Sequence, residues 1–344
     1  MNYEEFKDKV TEDVKRELES RTGKSYDVQT HSVEKMNENY DALTIKPEDG
    51  ILGVNLNIGE LYKAHEEGHS YEDLIDSAAS RAESALENHP DFNLEALQDY
   101  DHMKETLSME VVSAARNAEL LDKVPHKEIE DMAVVYRFVV DTGDDGRGSI
   151  LITNQLLDNY GITAEQLHED ALKYAPVMRP AVIKTMSETL MEMMGPEAKD
   201  MIPVMPSDPL FVASVPDKIQ GASVIAYQDF MDQAAERVGG DFYILPSSIH
   251  EVLLVRDDGT IDRSNLEGMV KEVNETQVAP EDLLTDSVYH YDSKDKVFEL
   301  AEKYEERMAS KQRESVIDKL DGKKRETISH DSIPRPRARG GEVL

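Results

Sequence analysis

The sequence predicts an α+β fold, and three observations carry that expectation. Residues 3 to 21 place Phe6, Val10, Val14 and Leu18 on one helical stripe that stops near Gly23. The stretch "LGVNLNI" alternates Leu52, Val54, Leu56 and Ile58 on one face, the period of a half-buried strand. Farther on, β-branched runs and amphipathic helices are interspersed without a regular strand–helix–strand rhythm, which separates α+β from α/β.

The other elements follow in order. Two extended stretches, "SYDVQTHSV" and "DALTIK", precede "LGVNLNI", and helices then dominate through "SYEDLIDSAASRAESALEN" and "MEVVSAARNAELLDKV". At Pro125 the character changes. "MAVVYRFVV" and "SILIT" flank the Gly- and Asp-rich "DTGDDGRG" and read as a hairpin. "TAEQLHEDALKYA" and "IKTMSETLMEMM" read as helices, and the Pro-punctuated stretch from Pro196 to Pro216 as an irregular connection. The segment "ASVIAY", the helix "QDFMDQAAERVG", the strands "FYILP" and "EVLLVRD" and a helix from Asn265 to Asn274 come next, and "SVYHY" closes the folded region. The expected organisation is an N-terminal α+β domain over 1–122 and a larger α+β domain over 123–292. A polar helix over 293–320 and a disordered basic tail over 321–344 complete it.

Composition sets the bounds. The chain has 344 residues, 39% hydrophobic and 32% charged, with no Trp, so its core must come from Leu, Ile, Val, Met, Ala and Tyr. The absence of cysteine excludes disulfides, thiolate metal sites and thiol catalysis, and fits a reducing cytoplasm. No apolar run approaches the roughly 18 residues of a membrane span. "MNYEEFKDKV" starts a charged amphipathic helix and lacks a signal's apolar centre. A soluble cytoplasmic protein with no membrane partner is expected. The net charge of −33 argues against direct binding to nucleic-acid phosphates and allows basic partners or mimicry of nucleic acid.

The residues His65-Glu66-Glu67-Gly68-His69 spell HExxH, the zinc-peptidase pattern in which two histidines one helical turn apart hold the ion and the glutamate acts as base. That chemistry requires one continuous helix. Ile58, Leu61, Tyr62 and His65 form one apolar stripe, while Tyr71, Leu74, Ile75, Ala78 and Ala82 form another roughly 130° away. A break at Gly68 resolves the mismatch, and Ser70 with Asp73 three residues later reads as a capping box. His65, Glu66 and His69 are therefore metal candidates that the joint disfavours. The third histidine of the metzincin pattern would fall at Ile75, although Glu83 or Glu87 could serve a different peptidase class.

Three other segments bear on chemistry. "RDDGTIDRSN" has the centre of a calcium loop, but Leu254, Arg256 and Asn265 stand where ligands belong, so it reads as a turn. "LPSSIHEV" puts Ser248 and His250 on one strand face with Glu251 opposite, the first place to seek a catalytic site. Residues 60 to 110 carry 14 Asp or Glu against three Lys or Arg. Those carboxylates imitate DNA if they form one ribbon, and otherwise make a solvated face.

At "GDFYILPSSIHEVLLV", "MVKEVNETQVAPEDLLTDSVYHY", "GSILITNQLLDNYGIT" and "AELLDKVPH", the sequence resembles the bacterial family catalogued as domain of unknown function 5688. "MNYEEFKDKV" and "LNIGELYKAHEEGHSYEDLI" fit the same layout, so the resemblance spans about residues 1 to 292. It implies a bacterial protein of the kind found in gut-dwelling Gram-positive species beside mobile elements. It supplies no catalytic residues, and neither histidine of the turn is expected to be fixed in the family. A fainter similarity, in "ITNQLLDNYGITAEQLHEDALKYA", is to another uncharacterised bacterial family.

The resulting expectation is a cytoplasmic α+β protein that binds an unknown protein partner and uses no cofactor. The alternatives are a hydrolase, using zinc at His65, Glu66 and His69 or using Ser248 and His250, and an acidic mimic of DNA.

Overall fold

The computed structural model describes residues 1–35, 38–48, 50, 53–87, 96–143, 146–195 and 209–331, and its fold is α+β. The first helix, α1 (Tyr3–Thr22), opens with a reciprocal cap: the Asn2 side chain accepts the Glu5 N–H at 2.9 Å, and the Glu5 carboxylate accepts the Asn2 N–H at 3.2 Å. It closes at Gly23, whose φ of +69° is the left-handed conformation that glycine supplies without a Cβ clash. Phe6, Val10, Val14 and Leu18 are all buried, each contributing roughly 1.5–3 kcal/mol.

These four side chains pack on an antiparallel sheet of β1 (Tyr26–Lys35), β2 (Glu38–Pro47) and β3 (Val54–Asn57), in that order, and on α2 (Ile58–Glu66) and α3 (Tyr71–Glu87). The expected alternation is realised in part. Leu56 is buried on β3, Ile58 already belongs to α2, and Leu52 lies outside the described residues.

The second sheet is built around one strand. After α4 (Tyr100–Met103), β4 (Leu107–Ser113), α5 (Ala118–Leu121) and β5 (His126–Ile129), the chain enters β6 (Met132–Gly143) and returns through β7 (Gly146–Leu151). β6 pairs antiparallel with β4, β5 and β7. The expected hairpin is present, with residues 144 and 145 of its turn outside the described residues.

The helix expected over "MEVVSAARNAELLDKV" is corrected here. Residues Leu107 to Ser113 are a strand, and only Ala118–Leu121 is α-helical. All seven β4 residues are buried, and its register with β6 runs unbroken from Leu107↔Phe138 to Ser113↔Met132. A strand covered on both faces loses its alternation, so apolarity alone cannot tell it from a helix. β4 and Tyr100 share a core with the later elements although they precede residue 122.

The third sheet follows α6 (Asn154–Tyr160) and α7 (Ala164–Met178). It comprises β8 (Val182–Thr185), β9 (Leu210–Ser214), β10 (Phe242–Leu245), β11 (Val252–Arg256), β12 (Tyr289–Asp292) and β13 (Val297–Leu300), in the order β13-β12-β10-β11-β9-β8. Every pairing in it is antiparallel. Its helices are α8 (Met186–Met194), α9 (Phe230–Val238), α10 (Arg263–Thr276) and α11 (Ala301–Asp331). "ASVIAY" winds as a 3₁₀ turn, Gly221–Ala226.

Four expectations change. Ile183 to Thr185 are strand ahead of α8, and β9 interrupts the Pro-punctuated connection, of which residues 196–208 lie outside the described residues. A strand, β13, stands between "SVYHY" and the polar helix. It pairs with β12, and Phe298 stacks on Tyr289 with ring centroids 5.2 Å apart. α11 runs past residue 320 to Asp331, and the rest of the expected tail, 332–344, lies outside the described residues.

Candidate functional site

The HExxH residues sit where two helices part. α2 ends at Glu66, the chain turns through Gly68 at φ +100°, and α3 begins at Tyr71. The turn is tied by N–H donation from Gly68 to the His65 carbonyl and from His69 to the Ala64 carbonyl, both at 3.1 Å. The Ser70 carbonyl accepts the Leu74 N–H at 3.1 Å as α3 begins.

His65 faces inward: its ring stacks on Phe6 at 5.5 Å and meets Tyr71 edge-on at 6.1 Å. His65 Nδ1 is buried without a hydrogen bond. His69, Glu66 and Glu67 are exposed. Among the described residues no group of three or more His, Asp or Glu is arranged to hold a metal ion. Purified protein is expected to contain no stoichiometric zinc, and His65→Phe to preserve its melting temperature, because the site is aromatic on two sides. Elemental analysis showing one zinc per chain, lost on that substitution, would revive the peptidase reading.

The calcium-like segment closes on itself. Asp258 accepts from the Thr260 N–H at 2.9 Å, and Asp262 caps α10 by accepting the Ser264 N–H at 2.9 Å. These local bonds hold both carboxyls below the usual range.

The strand end around Ser248 and His250 is richer. Residues 246–251 form a loop between β10 and β11, so the expected placement on one strand face is corrected. Its backbone is bound on two sides. The His250 carbonyl accepts the Gly221 N–H at 3.0 Å and the Ser214 hydroxyl at 2.8 Å, while the Ile249 N–H donates to the Asp282 carbonyl at 2.9 Å. The extra backbone bonds are the reason strand geometry ends there.

Within this loop, His250 Nδ1 accepts the Gln220 N–H at 3.1 Å, so the neutral ring carries its hydrogen on Nε2, 3.0 Å from Asp282 Oδ1. Ser248 Oγ accepts the His250 backbone N–H at 3.1 Å. Glu251 is exposed. Three residues named from the sequence thus lie together, but the serine is bonded to the histidine's backbone and not to its ring.

Sequence reasoning missed the other half of this arrangement. Gln220 donates from a turn in which Lys218 and Gln220 both have positive φ, 55° and 51°. Such conformations in non-glycine residues store strain of order 1–3 kcal/mol each and persist only when surroundings enforce them. Arg179, at the end of α7, is the enforcing group. Its Nη2 donates to Asp217 Oδ1 at 2.5 Å and to the Ile219 carbonyl. Arg179 Nε and Nη1 are buried without partners. Arg179, Gln220 and Asp282 carried no local signal, since their partners lie 30 to 40 residues away along the chain.

Carboxylates from 60 to 110 divide among several surroundings. Glu72, Asp76, Glu83 and Glu87 fall within an arc of about 60° on α3. Asp76 pairs with Arg21, Asp101 with Lys104 at 2.5 Å, and Glu110 is buried against Arg137 at 2.7 Å. A groove of about 290 Å³ between α1 and α3 is bordered by Asp13, Glu17, Glu72 and Asp76, with Arg16 paired to Asp13 at 2.7 Å, around Tyr71 and Ile75. Burial and the 2.9 Å bond to Asp13 hold the Tyr71 phenol well above its ordinary range. Asp91 and Glu95 lie outside the described residues.

No curated protein and no solved structure matches the chain. The family of unknown function DUF5688 matches residues 3–293. The chain belongs to that family, as its sequence strings imply. Among the described residues, no helix is long and apolar enough to cross a membrane.

Proposed function

We propose that the protein works by binding a basic protein partner in the bacterial cytoplasm, and that it does not catalyse hydrolysis. The observation that supports this most is the engagement of both His250 ring nitrogens. A general base must offer a free nitrogen to its nucleophile. Here one nitrogen accepts a backbone N–H, the other faces Asp282, and Ser248 Oγ is turned to the backbone. The histidine fixes a strained turn against a loop, which is a positioning task. The net charge of −33 favours a positively charged partner through long-range attraction. An accessory role beside a mobile element fits the same reading.

The test is capture from a bacterial host lysate on immobilised protein, at about 50 mM and about 500 mM salt, since exposed charges are screened over that range. A basic protein held at the lower salt and released at the higher is the expected result. Esterase or peptidase turnover by the purified protein, abolished in His250→Asn, would sink the proposal. A narrower version, in which carboxylates imitate a phosphate backbone, draws on the α3 row from Glu72 to Glu87, where residues four apart rise about 6 Å.

A further inference from the structure

His290, on β12, is wholly buried. Its ring lies flat on Tyr304 of α11, with centroids 3.6 Å apart and planes 13° from parallel. The ring also meets Tyr243 of β10 edge-on at 4.9 Å. Nε2 is 3.0 Å from Asp257 Oδ2. An ionised carboxylate can only accept, so Nε2 carries the ring hydrogen and Nδ1 is left as a lone pair. Nδ1 is buried and has no hydrogen-bond partner.

The same neighbourhood fastens α11. Arg307, one turn beyond Tyr304 and 5.5 Å from its ring, donates to Glu299 at 2.7 Å, Asp295 at 2.9 Å and Asp292 at 3.0 Å. Lys311 also reaches Asp295, Lys303 meets Glu130 at 2.5 Å, and Arg263 of α10 meets Glu305 at 3.1 Å. These attachments fall within the first three turns of α11, and residues 309–317 are exposed. His290 lies inside the family-matched span 3–293, whereas Tyr304 and Arg307 lie beyond it.

We propose that α11 is an acid-released strap, in which a proton added to His290 Nδ1 breaks the Tyr304 stack and frees the helix from β12. The proton creates a buried N–H donor with no acceptor, and an unsatisfied buried donor is costly. It also adds a positive charge to a ring stacked on Tyr304, whose ring already has the Arg307 guanidinium 5.5 Å away. The groups facing His290 are Asp257, Asp241 and Asp292, the register partner Glu299 of β13, Tyr243 of β10, and Tyr304 and Arg307 of α11.

Burial outweighs the neighbouring carboxylates and lowers the His290 pKa below its ordinary value. Burial likewise pushes the Tyr243 phenol up to about 12, so it stays neutral throughout. A base with a lowered folded-state pKa leaves stability intact above the unfolded value of about 6.5 and loses it as pH falls below that value. The strap is accordingly closed at neutral pH and loosens in mild acid.

Hydrogen exchange across residues 301–317, at about pH 7.5 and about pH 5.5 with intrinsic rates divided out, tests this. The expected result is protection reduced several-fold in acid, up to the limit of about tenfold that one proton allows over this range, while β10 amides hold, because the lost stability follows proton uptake. His290→Phe keeps an aromatic stack without titrating, and is expected to flatten the pH response. Nitrogen NMR of the unmodified protein supplies a second readout, in which the His290 titration midpoint coincides with helix release. Equal α11 protection at both pH values, an undiminished response in His290→Phe, or separate midpoints would each overturn the strap.

Discussion

Arg137→Met is expected to lower the unfolding free energy by about 1.5–3 kcal/mol, the usual loss of a charge-assisted hydrogen bond to a buried carboxylate. Glu110 on β4 has a side chain only 1% exposed, and Arg137 Nε on β6 donates to its Oε2 at 2.7 Å. The guanidinium also reaches Ser149 on β7 at 3.4 Å, so one side chain links three strands. Removing it leaves a carboxylate inside a strand whose seven residues are all buried. The double substitution Glu110→Leu with Arg137→Met removes both charges, and is expected to be milder than the single change. Urea denaturation decides the matter. A single substitution that moves stability by less than about 1 kcal/mol would show that the pair contributes no more than a surface one.

The second large effect is expected at Gly221. A Cβ there would fall on the Ser214 hydroxyl and the His250 carbonyl oxygen, and 2.9 Å from the Val215 nitrogen. The hydroxyl can rotate away, but the carbonyl and the nitrogen belong to backbone held in place. Relieving the overlap means giving up the 3.0 Å bonds from Gly221 to His250 and from Ala222 to Ile249. Overpacking of this kind costs about 1–3 kcal/mol, with lost hydrogen bonds added to it. Gly221→Ala is therefore expected to destabilise by about 3 kcal/mol or more and to disturb the His250–Asp282 contact, read by the imidazole proton in NMR. If the alanine variant melts with the parent and keeps that resonance, the close approach of the two loops is wrong.

Legibility in the sequence followed the range of the forces involved. The stripe from Phe6 to Leu18, its stop at Gly23 and the joint at Gly68 are local, and each was readable from periodicity and one special residue. β10 and β11 were readable as short aromatic and β-branched runs bounded by Gly, Pro and Asp. β4 was not, because its burial on both faces is imposed by β6 and by the layers around it. β13 is four residues long and depends on its pairing with β12. At the candidate site, Ser248, His250 and Glu251 were legible as polar residues amid apolar ones. Arg179, Gln220 and Asp282 became partners of that loop only through long-range packing.

β6 is hydrogen-bonded along one edge to β4 and along the other to β5 and β7. No fraying motion at a sheet margin can lift such a strand. Its amides from Ala133 to Phe138 are expected to take up deuterium only when the layer separates as a whole, making them the slowest reporters of global opening. Anyone measuring how long this molecule stays folded should watch those six positions.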